Sequence, residues 1–210
     1  MKQFKVAILT PTAGLPRMPY AFSLFQLALY YAHHRIYEDI EEQSIHFIPL
    51  EGSVISAARE RLIDEAINKG LTHALFIDDD IMFAPNTLHK LASRNLSIVG
   101  CNYRHREPNG DFTALAPDKK SRIQTTEDST GVELSYYTGF GFCLIDLSIF
   151  KELERPWFPI GYNPVTKQYT TEDVGLAYRL EKTDVCWYVD HDASKLISHS
   201  GFYNYTYKEK

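Results

Sequence analysis

The chain has 210 residues, with 22 Lys and Arg against 27 Asp and Glu, a formal charge of −5, 44% apolar residues and 3 Cys. A usual domain length of roughly 100–200 residues makes one large domain the expectation over two, with a core that needs no disulfide staples. Cys101, Cys143 and Cys186 form no CxxC pair, which removes zinc ribbons and thioredoxin-type sites and points to a reducing, cytoplasmic setting.

The mildly acidic balance, without a run of five basic residues, argues against a nucleic-acid partner. No membrane span is expected: the longest apolar stretch, residues 22–32, falls short of the roughly 20 residues that cross a bilayer, and no basic-then-apolar leader opens the chain.

Residues 4–9 read FKVAIL, a buried strand running into Thr10, Pro11 and Thr12. A helix over 20–37, a strand over 45–50 and a helix over 53–69 closed by Gly70 follow. Then come a strand over 73–77, a helix over 85–93 with Pro85 at its start, and a strand over 96–101. This alternation predicts an α/β fold, with a mainly parallel sheet covered by helices on both faces.

Beyond Cys101 the pattern becomes mixed, with short strands expected over 113–116, 134–138, 142–145 and 186–189 and short helices over 147–153 and 171–182. Residues 118–130 are polar and carry Lys119, Lys120 and Arg122, the composition of a mobile loop. The Tyr-rich tail after Ser200 fits either a docked strand or an exposed end.

Asp78, Asp79 and Asp80 follow the apolar run ALFI at once. Ligands of open α/β sheets sit beyond the carboxyl ends of the strands, and three adjacent carboxylates repel one another unless a cation relieves them. Continued strand alternation would turn Asp78 and Asp80 the same way, and hard carboxylate oxygens favour Mg²⁺ or Mn²⁺. A solvated acidic turn is the plain alternative. His199, in KLISHSG, would tilt the preference towards Mn²⁺ if it joined them.

With Val54 as zero on a helical wheel, Arg59 falls at about 140°, inside an apolar arc, whereas Arg61 points outward at about 340°. A guanidinium on a buried face needs an anion, either a nucleotide diphosphate or a carboxylate of the protein. On the TEDVGLAYRL helix Asp173 lies among apolar residues and Glu172 at their edge. Either carboxylate could accept a proton or a sugar hydroxyl, unless Asp173 only completes a capping box with Thr170. Trp157, Phe158, Tyr162 and Tyr169 crowd a proline-stiffened loop that could stack on sugars or form a satellite core. Gly139 and Gly141 in TGFGF allow close backbone approach, to a ligand or within a bulge.

Taken in order, the strand ending in Thr-Pro, the strand-end DDD, the GFGF segment, the TEDVG helix start and the late His resemble the GT-A type of nucleotide-sugar glycosyltransferase. The resemblance implies a GT-A-like, Rossmann-like domain over residues 1–210, with a nucleotide-binding half to about 101 and an acceptor-binding half from about 102. It implies that Asp78 and Asp80, with His199, hold Mn²⁺ or Mg²⁺ against the diphosphate of a donor such as a UDP-sugar. Thr10, Pro11, Thr12, Arg59, Asp78 and Asp79 would contact the donor; Glu172 and Asp173 would be catalytic. Gly139, Gly141, Trp157 and Tyr162 would face the acceptor, a glycan or glycoprotein. The compact size resembles glycosyltransferase domains of bacteriophages and large algal DNA viruses, which implies a host cytoplasm. A nucleotidyltransferase acting on sugar phosphates and a non-catalytic sugar-binding module are the alternatives.

Overall fold

The computed structural model describes residues 3–36, 42–107, 110–164, 167–201 and 204–207. The first half contains β1 (Gln3–Thr12), α1 (Met18–His33), β2 (Glu42–Glu51), α2 (Ile55–Asn68), β3 (His73–Ile77), β4 (Ile81–Phe83), α3 (Thr87–Ser93) and β5 (Ile98–Gly100). The second half contributes β6 (Val132–Ser135), β7 (Phe142–Asp146) and a 3₁₀ turn over Leu147–Lys151. After these come β8 (Tyr162–Asn163), β9 (Gln168–Tyr169), α4 (Glu172–Leu180), β10 (Trp187–Asp190), α5 (His191–Ser194), β11 (Ile197–Ser200) and β12 (Asn204–Tyr205).

Strand alternation creates the layers. In β1, Phe4, Val6 and Ile8 enter one apolar cluster and Ala7 and Leu9 the other; β3 divides Leu75 and Ile77 from Ala74 and Phe76 in the same way. A strand covered on both faces shows no polar side, which is why VAIL of β1 and ALFI of β3 read as unbroken apolar runs. Leu62, Ile63 and Ala66 of α2 and Leu176, Ala177 and Leu180 of α4 cover one face. Tyr20 and Leu27 of α1, Leu88 and Leu91 of α3 and Ala193 of α5 cover the other.

The central sheet has seven strands in the order β2-β1-β3-β7-β5-β10-β6. Strands β2, β1 and β3 are parallel, as are β5 and β10, while β7 lies antiparallel between β3 and β5. Being antiparallel to both neighbours, β7 keeps β3 and β5 in one direction, so the carboxyl ends of β1, β3, β5 and β10 line a single edge. β6 closes the far side antiparallel to β10, and β4, β11 and β12 form a small separate sheet. Among the described residues no helix is long and apolar enough to cross a membrane.

Several boundaries differ from the sequence reading. α1 ends at His33, and the expected end of that helix at Tyr37 lies outside the described residues. α2 does close at Gly70 (φ 68°), whose N–H donates to the Ile67 carbonyl while the Leu71 N–H reaches Ala66. The strand expected over 113–116 is only a set of single bridges, Arg104 to Phe112 and Leu115 to Arg122 and Tyr137. Nor is 118–130 loosely attached: the Asp118 carboxylate accepts from the Lys120 and Ser121 backbone, and the buried Asn102 amide donates to Ile123 and Thr125. The Tyr-rich tail docks as β12 on β11 at 204–205.

Gly175 lets α4 lie against the loop over 156–161. A Cβ there would meet the Pro159 carbonyl oxygen at 2.0 Å. Ala improves helix propensity by about 1 kcal/mol, but that carbonyl cannot retreat without lifting the loop, and overpacking costs about 1–3 kcal/mol or more. Gly175→Ala should therefore lower the urea midpoint; a raised midpoint would show that the loop yields freely.

Candidate active site

β3 stops at Ile77, and the chain turns through Asp78, Asp79 and Asp80 before β4. The Asp78 N–H donates to the Gly141 carbonyl at 3.2 Å. The carbonyls of Asp78, Asp79 and Asp80 accept from the N–H groups of Ile81 at 3.1 Å, Arg17 at 3.1 Å and Ser200 at 2.7 Å. In a turn the two-residue alternation of a strand no longer holds, and the three side chains reach different partners. Asp78 Oδ1 binds Arg59 Nη2 at 2.9 Å, and Asp79 Oδ2 accepts from the Thr12 hydroxyl at 2.6 Å. Asp80 Oδ2 meets Arg106 Nη1 at 2.7 Å, and its Oδ1 faces His199 Nε2 at 3.3 Å. Among the described residues no three His, Cys, Asp or Glu side chains gather as a ready-made metal site.

The structure does bring Asp80 and His199 together, because β11 pairs with β4 and sets His199 opposite Ile81. His199 Nδ1 lies 3.2 Å from the Arg104 carbonyl, an acceptor only, so Nδ1 carries a hydrogen. Nε2 then presents either a second proton or a lone pair to Asp80. Asp80 Oδ1 is buried and makes no well-aligned hydrogen bond among the described residues. A carboxylate oxygen and an imidazole nitrogen oriented by a carbonyl on its other side form a donor set that suits a divalent cation. Burial by itself would raise the Asp80 carboxyl, but the His199 imidazole and the Arg106 and Arg17 guanidiniums outweigh it and hold the group below the ordinary carboxylate range.

Arg59 forms the adjoining wall. It is 2% exposed, and its guanidinium lies 5.0 Å from the Phe76 ring centroid and 4.8 Å from that of Phe140. Besides Asp78, its Nε donates to Glu172 Oε1 at 3.1 Å. The anion demanded by a buried cation is thus supplied by two protein carboxylates, one of the two kinds of partner its place in the apolar arc allowed, while Nη1 has no hydrogen-bond partner among the described residues. Burial works against the Arg59 charge, yet Asp78 and Glu172 more than compensate and raise its pKa.

Asp173, at the start of α4, accepts from the Thr171 hydroxyl and from the Val174 N–H at Oδ1. The capping box expected with Thr170 is absent, since Thr170 instead bonds Gly161. Burial pushes the Asp173 carboxyl above its ordinary range, and the neighbouring Glu172 adds to the shift.

Other expected contacts fall elsewhere. Gly139 and Gly141 are needed for close approach, but the approaching group is Tyr103: a Cβ on either would come within 2.5 Å of its hydroxyl, which accepts the Gly141 N–H at 2.9 Å. The Thr10 hydroxyl is buried against Tyr20, and Pro11 is buried beside it. Trp157 is 4% exposed, packs on Phe150, and donates its indole N–H to the Leu153 carbonyl, so it offers no open stacking face. Glu60 fastens this loop to α2 by accepting the N–H groups of Trp157 and Phe158. Tyr162 and Tyr169 remain open across the β8–β9 hairpin, 53% and 76% exposed.

Sequence reasoning passed over Tyr103, Arg104 and Arg106. They lie in CNYRHR, immediately after β5, where the rule that sites gather at carboxyl strand ends would have found them. Tyr103 joins both halves of the site, its ring edge-on to His199 at 5.4 Å and its hydroxyl on Gly141, whose carbonyl holds Asp78. Tyr103→Phe keeps the ring but strands the buried Gly141 N–H, at a cost of roughly 1–3 kcal/mol in chemical unfolding. Unchanged stability would mean that this hydrogen bond is replaced.

No protein family model matches the chain, and no curated protein matches it by sequence. Among solved structures it is similar to A197 from STIV, with a TM-score of 0.60 at 16% identity over 89% of this chain and 81% of that one. A Bacillus anthracis protein assigned as a glucose-1-phosphate thymidylyltransferase, crystallised with sucrose, aligns at a TM-score of 0.45 and 14% identity over 89% of both chains, a likeness too loose to bear on this one. The similarity to A197 is one of fold: helices on both sides of a large, mostly parallel sheet.

Proposed function

We propose that the chain is a metal-dependent glycosyltransferase, moving a sugar from a nucleotide diphosphate donor such as a UDP-sugar to a glycan hydroxyl. The observation that carries this reading is the buried Asp80 Oδ1 facing His199 Nε2 at 3.3 Å, at the carboxyl edge of the sheet, where Arg59 links the neighbouring Asp78 to Glu172. Asp80 and His199 would hold the cation, and a mixed oxygen and nitrogen set favours Mn²⁺ over Mg²⁺. Such an ion neutralises charge on a departing diphosphate.

The chain's own groups support the same division of labour. Arg106, 46% exposed at its side chain, is free to turn from Asp80 towards donor phosphates. Asp79 and Thr12 brace the turn after β1 against the turn after β3. Asp173, whose raised pKa makes it a better proton acceptor than an ordinary carboxylate, is the base for the acceptor hydroxyl, with Glu172 held beside it by Arg59. The exposed Tyr162 and Tyr169 rings, 5.1 Å apart, offer a face to an acceptor sugar.

The nucleotidyltransferase alternative would share the sheet and the carboxylates, but the turn after β1 carries only Gly14 and Arg17, and Arg17 Nη1 is engaged by the Ser200 carbonyl at 2.7 Å. Incubation with UDP- and GDP-sugars, and separately with sugar 1-phosphates plus nucleoside triphosphates, discriminates the two. Mn²⁺-dependent release of nucleoside diphosphate is expected; pyrophosphate release would indicate nucleotidyl transfer, and no turnover with any donor a binding module.

Asp80→Asn should lower Mn²⁺-dependent donor binding at least ~100-fold by calorimetry, because a direct ligand is worth no less than the groups behind it. Undiminished binding would remove Asp80 from the site. Asp173→Asn should cut transfer by about 10²–10⁴ while donor affinity is kept.

The same substitution has a stability signature. Because the folded-state pKa of Asp173 lies above its ordinary 3.8, the stability contributed by its protonated form is full below that value and lost as pH rises through the raised one. Asp173→Asn should therefore melt above the parent at neutral pH and converge with it near the acid end; a constant difference across pH would contradict the raised value.

A further inference from the structure

Helix α1 carries two apolar stripes. Tyr20, Leu24, Leu27 and Tyr31 pack inward. Met18, Phe22, Phe25 and Leu29 point outward and are 79%, 60%, 59% and 51% exposed. The helix, MPYAFSLFQLALYYAH, contains no Asp, Glu, Lys or Arg, in a chain that is 23% charged overall. Next to it lies β2, an edge strand of the central sheet, with Phe47 47% exposed. Between helix and strand runs an apolar cleft of about 550 Å³, lined by Phe25, Ala28, Ala32, Ile45 and Phe47 among others.

We propose that this face docks a second copy of the chain, the two α1 helices packing antiparallel about a two-fold axis. An isologous interface requires a surface that matches its own reversed image, so that residue i meets j and j meets i. The outward stripe has that property. Its 4-3-4 spacing reads the same in both directions, and an antiparallel copy sets Met18 against the second copy's Leu29 and Phe22 against its Phe25, each contact occurring twice. Such a seam is the narrow apolar stripe of paired helices rather than the broad face of a helix on a sheet.

Charge and area agree with this occupant. With no charged residue on α1, self-pairing along the helix creates no like-charge contact, and a partner guided by electrostatic complementarity would find nothing on it to read. A helix that rests on a lipid surface normally carries Lys and Arg on its polar face, which α1 lacks. Since a whole aromatic side chain presents roughly 200 Å², each open residue here leaves on the order of 100 Å² to cover. The five on each copy thus bring a pair to roughly 1,000 Å², the size a specific interface must reach.

The deciding measurement is the mass of the purified chain in sedimentation velocity at about 100 µM, where an interface of this class is expected to be occupied. The expected mass is twice the 24.2 kDa of one chain. Phe22→Asp combined with Phe25→Asp should return it to a single chain with unchanged circular dichroism, both positions being open to solvent. Phe22→Lys and Phe25→Glu, mixed as separate proteins, should pair with each other better than either does with itself, because the antiparallel register sets position 22 against 25. A monomeric parent chain would overturn the proposal, as would a dimer untouched by the double substitution or a monomer that instead sediments with neutral lipid vesicles.

Discussion

One guanidinium with almost no solvent contact binds together the parts of the site that come from distant sequence. Arg59 arises from α2, takes Asp78 from the end of β3 through Nη2 and Glu172 from the start of α4 through Nε, and lies between the Phe76 and Phe140 rings. Leaving a buried charge without its partner costs about 3–5 kcal/mol, so each of the three groups makes the other two tolerable where they are. The entry of α4, and with it the position of Asp173, follows from that arrangement.

The same constraint explains why three identical neighbours behave differently. Asp78 pairs with the buried Arg59, Asp79 is tied by the Thr12 hydroxyl to the end of β1, and Asp80 lies between the Arg106 guanidinium and the His199 imidazole. Environment rather than residue type assigns the roles, as it does wherever paired carboxylates divide acid, base and ligand duties. Tyr103 completes the construction: the glycines of TGFGF are small so that a tyrosine hydroxyl can reach the backbone holding Asp78.

The outward face of α1 stands apart from this chemistry. α1 follows the turn after β1, and its inward Tyr20 bonds Thr10 at 2.6 Å, so the helix is anchored near the site while its other stripe remains uncovered. That stripe is visible on a helical wheel only once the inward face is known, since both stripes are apolar and either could have been the core.

How much was legible in the residues depends on the range of the forces involved. Alternating apolar runs, helix ends such as Gly70 and the place of Arg59 within an apolar arc are local consequences of backbone period, and the α/β fold with its mainly parallel sheet could be read from them. The insertion of β7 between β3 and β5, the turn that fans out Asp78, Asp79 and Asp80 and the burial of Trp157 could not, and the meeting of Asp80 with His199 across β4 and β11 was implied only by the resemblance. Each joins residues far apart in the chain, where pairing is settled by which apolar faces close together and which buried charges find partners, and no local pattern encodes that choice.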